Sequence, residues 1–73
     1  MDIYTIMLLG YQVSQKKRVE AGIYTIKFHR RKKKNEYFYI VELERQGEII
    51  ERGVFTEYSN AVIYAGQLFA RFR

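Results

Sequence analysis

At Thr56 the apolar residues stop recurring at every second position and begin to recur at every third or fourth, and this change of period decides the class of fold. Before it, Tyr24, Ile26 and Phe28 alternate with Ile23, Thr25, Lys27 and His29, and Tyr37, Tyr39, Val41 and Leu43 alternate with Phe38, Ile40, Glu42 and Glu44. Alternation of this kind puts successive side chains on opposite faces of a strand, one toward a core and one away from it. After it, Tyr58, Ala61, Val62, Ala65, Leu68, Phe69 and Phe72 fall on one stripe of a helix. The expectation is an α+β domain, in which a small antiparallel sheet of three or four strands packs on one carboxyl-terminal helix.

With no proline, glycines punctuate the chain. Strands are expected over Ile23 to Arg30, Tyr37 to Arg45 and Glu48 to Phe55, with Gln46-Gly47 as a tight hairpin turn, because glycine accepts the positive φ such turns demand. Thr56 is the expected N-cap of a helix over about 57 to 72, with Glu57 in its first turn and Arg71 and Arg73 complementing the negative end of its dipole. Residues 1 to 22 admit two readings. Ile3 to Val13 is rich in β-branched and aromatic residues and reads as a strand bulged at Gly10, with a short helix as the alternative; Gln15 to Arg18 reads as a basic connection to Ala21-Gly22. The order is then ββββα, or βββα behind a variable amino-terminal segment.

At 73 residues without cysteine, and with His29 as the only histidine, the chain makes one domain held by packing alone, with no disulfide and no Cys/His metal site. The run Ile3 to Leu9 is too short to span a bilayer and is not preceded by a basic residue, so a cytoplasmic, membrane-free protein is expected. Few groups are available for nucleophilic or acid–base chemistry, so neither an enzyme nor a cofactor is expected. Glu42 and Glu44, and Glu48 with Glu51 near the next turn, read as solvated charges rather than a catalytic pair.

Charge is more informative. The net charge is +5, and residues 1 to 35 hold nine Lys/Arg against two acids, whereas the remainder holds four against six. Arg30, Arg31, Lys32, Lys33 and Lys34 are consecutive. Cations this dense repel one another and gain nothing from folding, which points to an anionic partner, DNA or RNA, contacted at a hairpin tip. A solubilising loop is the plain alternative. Lys16, Lys17 and Arg18 form a second cluster, which reads as a solvated linker unless it shares a sheet edge with the first. Tyr37 and Phe38, beside the cationic tip, are the candidates for base stacking.

Two features, the order strand, cationic loop, strand, Gly turn, strand, and the junction Gly53-Val54-Phe55-Thr56-Glu57-Tyr58-Ser59-Asn60-Ala61, make residues 22 to 72 resemble the three-stranded-sheet-plus-helix DNA-binding modules of phage integrases and plant ethylene-response factors. The resemblance implies that the outward sheet face meets nucleic acid, through Lys27, His29, Arg45 and Arg52 beside the tip. A rival reading is a small protein-binding adaptor or inhibitor, of the kind phages and viruses encode. It would dock a partner or a second copy in a homodimer through Ile63, Tyr64 and Ala70, which lie off the main helical stripe.

Overall fold

The computed structural model describes residues 1–72, so the expected role of Arg73 at the helix end lies outside the described residues. The order of elements is α1 (Ile3–Lys16), β1 (Arg18–Ala21), β2 (Tyr24–Lys33), β3 (Glu36–Arg45), β4 (Glu48–Phe55) and α2 (Tyr58–Arg71). The four strands form one antiparallel sheet in the order β1-β2-β3-β4, and both helices pack on the same face of it. This is an α+β fold with one sheet face left uncovered.

The amino-terminal segment is a helix, and the strand bulged at Gly10 is thereby corrected. Its buried residues, Leu9, Gly10 and Val13, recur at helical spacing, and Asp2 caps the first turn by accepting a hydrogen bond from the Thr5 amide at 2.8 Å. Tertiary contact overrides the β-branched composition, because Gly10 is the point at which α1 meets the backbone of α2. A Cβ on Gly10 would lie 2.0 Å from the Val62 carbonyl oxygen, and one on Gly66 would lie 1.9 Å from that of Ile6. Each glycine therefore admits the other helix's backbone, which no side chain allows.

The Thr5 amide bond holds the Asp2 carboxyl below its ordinary value. The cap thus stabilises the fold fully above the ordinary aspartate value and is lost as pH falls through the lowered one.

Lys17 ends α1 in the left-handed conformation, with φ 65°, and its amide returns to the Val13 carbonyl. The chain turns there into β1, so the expected connection over Gln15 to Arg18 is the end of a helix and the start of a strand. Gly22, at φ 64°, opens a two-residue turn into β2, in which Ala21 faces Tyr24. The Gln46-Gly47 turn is present as expected, with both residues at positive φ. A bulge beyond Leu43 leaves Ile50 as the extra residue in β4, so that Glu44 faces Ile49 and Leu43 faces Glu51.

The core lies between the sheet and the helix pair. Val13, Ile26, Val41, Leu43, Val62 and Leu68 are its largest fully enclosed side chains, and burying each contributes about 1.5–3 kcal/mol. Most of the expected helical stripe is there: Ala61, Val62, Ala65 and Leu68 are fully buried, Phe69 is half-buried, and Phe72 stacks on Tyr24 at 4.0 Å between ring centroids. The N-cap is Glu57 rather than Thr56, and its side chain makes no capping bond. Glu57 is extended, at φ −109° and ψ 130°, so the helix begins at Tyr58, one position later than the sequence suggests.

Gly66→Ala tests the helix contact. In an exposed helix this change gains about 1 kcal/mol of propensity; here the clash with Ile6 reverses the sign, and a loss of about 1–3 kcal/mol is expected in urea unfolding. A rise in the unfolding midpoint would mean that the helices are further apart.

Candidate nucleic-acid interface

Two hairpin strands outrun their neighbours. β1 accompanies β2 only from Tyr24 to Lys27, and β4 accompanies β3 only as far as Tyr39, whereas β2 and β3 stay paired to Lys33 and Glu36. The consequence is a two-stranded ribbon projecting past the rest of the sheet and closed by Lys34-Asn35, with Lys34 at φ 58°.

The basic run is this ribbon. Arg30 to Lys33 are strand residues and only Lys34 is in the turn, which corrects the expected cationic loop. The ladder continues because Arg30, Arg31 and Lys32 face Tyr39, Phe38 and Tyr37 across the strands. Aromatic residues favour extended backbone, and one of the three rings receives two of the cations: the Arg30 guanidinium lies 4.7 Å and the Lys32 ammonium 5.6 Å from the Tyr37 ring centroid. Alternation then sends Arg30 and Lys32 to the helix-facing side and Arg31 and Lys33 to the open side. All five basic residues are exposed, and among the described residues none lies within ion-pair distance of a carboxylate.

The uncovered sheet face is different. Lys27, His29 and Arg52 lie on it as expected, but so do Glu42 and Glu44. Lys27 pairs with Glu44 at 2.8 Å, and Glu42 accepts contacts from His29 at 2.9 Å and Arg52 at 3.4 Å. Mid-sheet, the cations are engaged by carboxylates that are largely buried, so this face offers little free positive charge. Arg45, opposite Tyr24, belongs to the helix-facing side and not to the outward face. Tyr37 and Phe38 lie on opposite sides of the ribbon; Tyr37 is exposed beneath its own cations and Phe38 is half-buried.

The second basic cluster meets the first. Phe28 donates its amide to the Lys17 carbonyl at 3.0 Å, which binds the end of α1 to the foot of the ribbon. Beside that bond runs a groove of about 760 Å³ lined by Lys17, Arg18, Lys27, His29 and Arg30 together with Ser14, Phe28, Tyr39 and Tyr58. The Tyr58 and Ser14 hydroxyls are hydrogen-bonded at 2.6 Å, and the Tyr58 ring meets Tyr39 edge-on at 5.4 Å and Phe28 at 5.9 Å. The sequence leaves open whether the two clusters share an edge; α1 ends at Lys17 beside Phe28, and so Lys17 and Arg18 line the groove with Arg30.

The proposed rival surface is not an open patch. Ile63, Tyr64 and Ala70 are half-buried, and Tyr64 packs on Phe55 with ring centroids 5.3 Å apart. Burial, and next the Glu51 carboxylate, raise the Tyr64 hydroxyl above its ordinary value, with Arg71 acting against them; Arg71 itself is paired with Glu51. Exposed large apolar side chains of the helical layer are instead Ile3, Tyr4, Leu8 and Tyr11 on α1 and Tyr58 at the start of α2.

Comparison of the chain with protein-family models, with curated proteins and with solved structures found no match. Among the described residues, no helix is long and apolar enough to cross a membrane, and no three His, Asp or Glu side chains gather as a metal site would require.

Amide exchange tests the ribbon. Since the Phe28 amide points toward β1, alternation aims those of Arg31 and Lys33 at β3 and those of Arg30 and Lys32 at the unpaired edge. Slow exchange at Arg31 and Lys33 with fast exchange at Arg30 and Lys32 is expected. Uniformly fast exchange over residues 30 to 36 would restore a loop.

Proposed function

We propose that this chain binds nucleic acid and grips its phosphates with the ribbon of Arg30, Arg31, Lys32, Lys33 and Lys34. One observation carries the reading: these five cations project from the body without ion-pair partners among the described residues, while Glu42, Glu44 and Glu51 engage other basic residues. Left unpaired, such charges repel one another, and phosphates relieve the repulsion while releasing condensed counterions. A two-stranded β-ribbon is narrow enough to enter the major groove of a duplex, and contacts of this kind position a protein with little sequence selectivity. Lys27, His29 and Arg52 orient the protein more than they attract the ligand, because carboxylates already hold them.

The order β2-β3-β4-α2 supports likeness to the integrase and ethylene-response-factor modules, whereas Glu42 and Glu44 on the outward face oppose their mode of docking. In this reading the ribbon replaces the sheet face as the main contact, and the chain is a binding protein rather than an enzyme.

Changing Arg31, Lys32, Lys33 and Lys34 to glutamate is expected to lower affinity for DNA and RNA at low salt by at least about a hundredfold with the fold unchanged. Undiminished binding would end the proposal. Glu42→Gln with Glu44→Gln frees the mid-sheet cations and is expected to strengthen binding severalfold in the same titration.

Tyr4, Leu8 and Tyr11, exposed along one face of α1, favour a second reading as a protein-docking module. It requires self-association or partner capture that is insensitive to salt and abolished by Leu8→Lys. A monomer at high concentration in sedimentation equilibrium counts against the homodimer.

A further inference from the structure

We infer that the groove at the foot of the ribbon is a seat for an unpaired nucleotide, so that the protein prefers single-stranded nucleic acid to duplex. The inference rests on the phosphate-binding reading above and adds to it a distinct site with a distinct selectivity.

Three features meet there. The first is charge: of the basic residues that line the groove, Lys17 and Arg30 have no carboxylate at ion-pair distance among the described residues, Arg18 has only an exposed contact with Glu20 at 3.5 Å, and Lys27 and His29 are held by Glu44 and Glu42. The second is backbone. Beyond Phe28, the edge of β2 has no neighbouring strand, and the Arg30 and Lys32 amides point to it, giving fixed donors for phosphate oxygens along an extended path. The third is aromatic surface. Tyr39 and Tyr58 form the groove's inner wall, and Tyr58 is 38% exposed.

A stacked, paired base hides both its faces from a protein, whereas an unpaired base can lie on an aromatic ring. Phosphate on a basic edge beside a base on an aromatic wall is the arrangement by which single strands are held without regard to sequence. A groove of about 760 Å³ is also in the size range of about 300–1,000 Å³ typical of sites for small organic groups. Lys27 and His29 are shared between the groove and the open sheet face, but Glu42 and Glu44, the carboxylates that oppose docking on the sheet, do not line the groove.

The test is a pair of titrations at one salt concentration, with a mixed-sequence single strand of about twelve nucleotides and the duplex of the same sequence. The single strand is expected to bind about tenfold more tightly. Tyr58→Leu, which keeps apolar bulk but removes the ring face, is expected to bring the two affinities together. Lys17→Asn with Arg18→Gln should do the same without touching the core, since asparagine tolerates the left-handed conformation at position 17; it decides the matter should Tyr58→Leu fail to fold. Equal or duplex-favouring affinities in the unaltered protein, or a preference that survives the Lys17/Arg18 variant, would overturn the inference. In that case loss of binding in the glutamate ribbon variant still upholds the phosphate reading. No binding to either nucleic acid at low salt removes both.

Discussion

The contact on which the rest of the structure depends is the backbone-to-backbone approach of α1 and α2 at Gly10 and Gly66. It is reciprocal: each glycine faces a carbonyl of the other helix, Val62 and Ile6 respectively. A chain this short has little apolar surface to spend, and letting the helices touch without intervening side chains allows both to share one sheet face. Val13 from one and Val62, Ala65 and Leu68 from the other then close over Ile26, Val41 and Leu43.

That packing also places the charges. With α1 fixed along α2, its left-handed end at Lys17 feeds β1 along β2, and β1 is only four residues long. A short β1 and a β4 that stops opposite Tyr39 leave the middle hairpin to extend alone as the ribbon. The groove is the corner between the end of α1 and the first unpaired stretch of β2. Its cations come from distant parts of the sequence, Lys17 and Arg18 from one cluster, Arg30 from the other and Lys27 from between them.

Much of this was legible in the residues. The alternation in Tyr24 to Phe28 and Tyr37 to Leu43 identifies the buried sheet face, and the stripe from Ala61 to Leu68 the covering helix. What misled was the amino terminus, where isoleucine, tyrosine and threonine suggest a strand although Asp2 is a good helix cap and Leu9 and Val13 are four apart. A glycine in such a run reads as a bulge; its role as a helix contact appears only when a second helix lies against it. The basic run misled for a related reason. Five cations suggest a loop, yet the opposing strand is aromatic at residues 37 to 39, and the Tyr37 ring receives Arg30 and Lys32. Glu42 and Glu44 could be assigned to the outward face from alternation, but their pairing with Lys27, His29 and Arg52 depends on the strand register.

The proposed function rests on the difference between paired and unpaired cations: carboxylates hold Lys27, His29 and Arg52 on the open sheet face, whereas the five basic residues of the ribbon have no carboxylate partner among the described residues. The most direct measure of that difference is the salt dependence of binding to a single-stranded oligonucleotide. Neutralisation of about five phosphates gives a slope of log affinity against log salt near −3.5. A slope shallower than about −1, or affinity unaffected by salt, would contradict the assignment of the ribbon to phosphate.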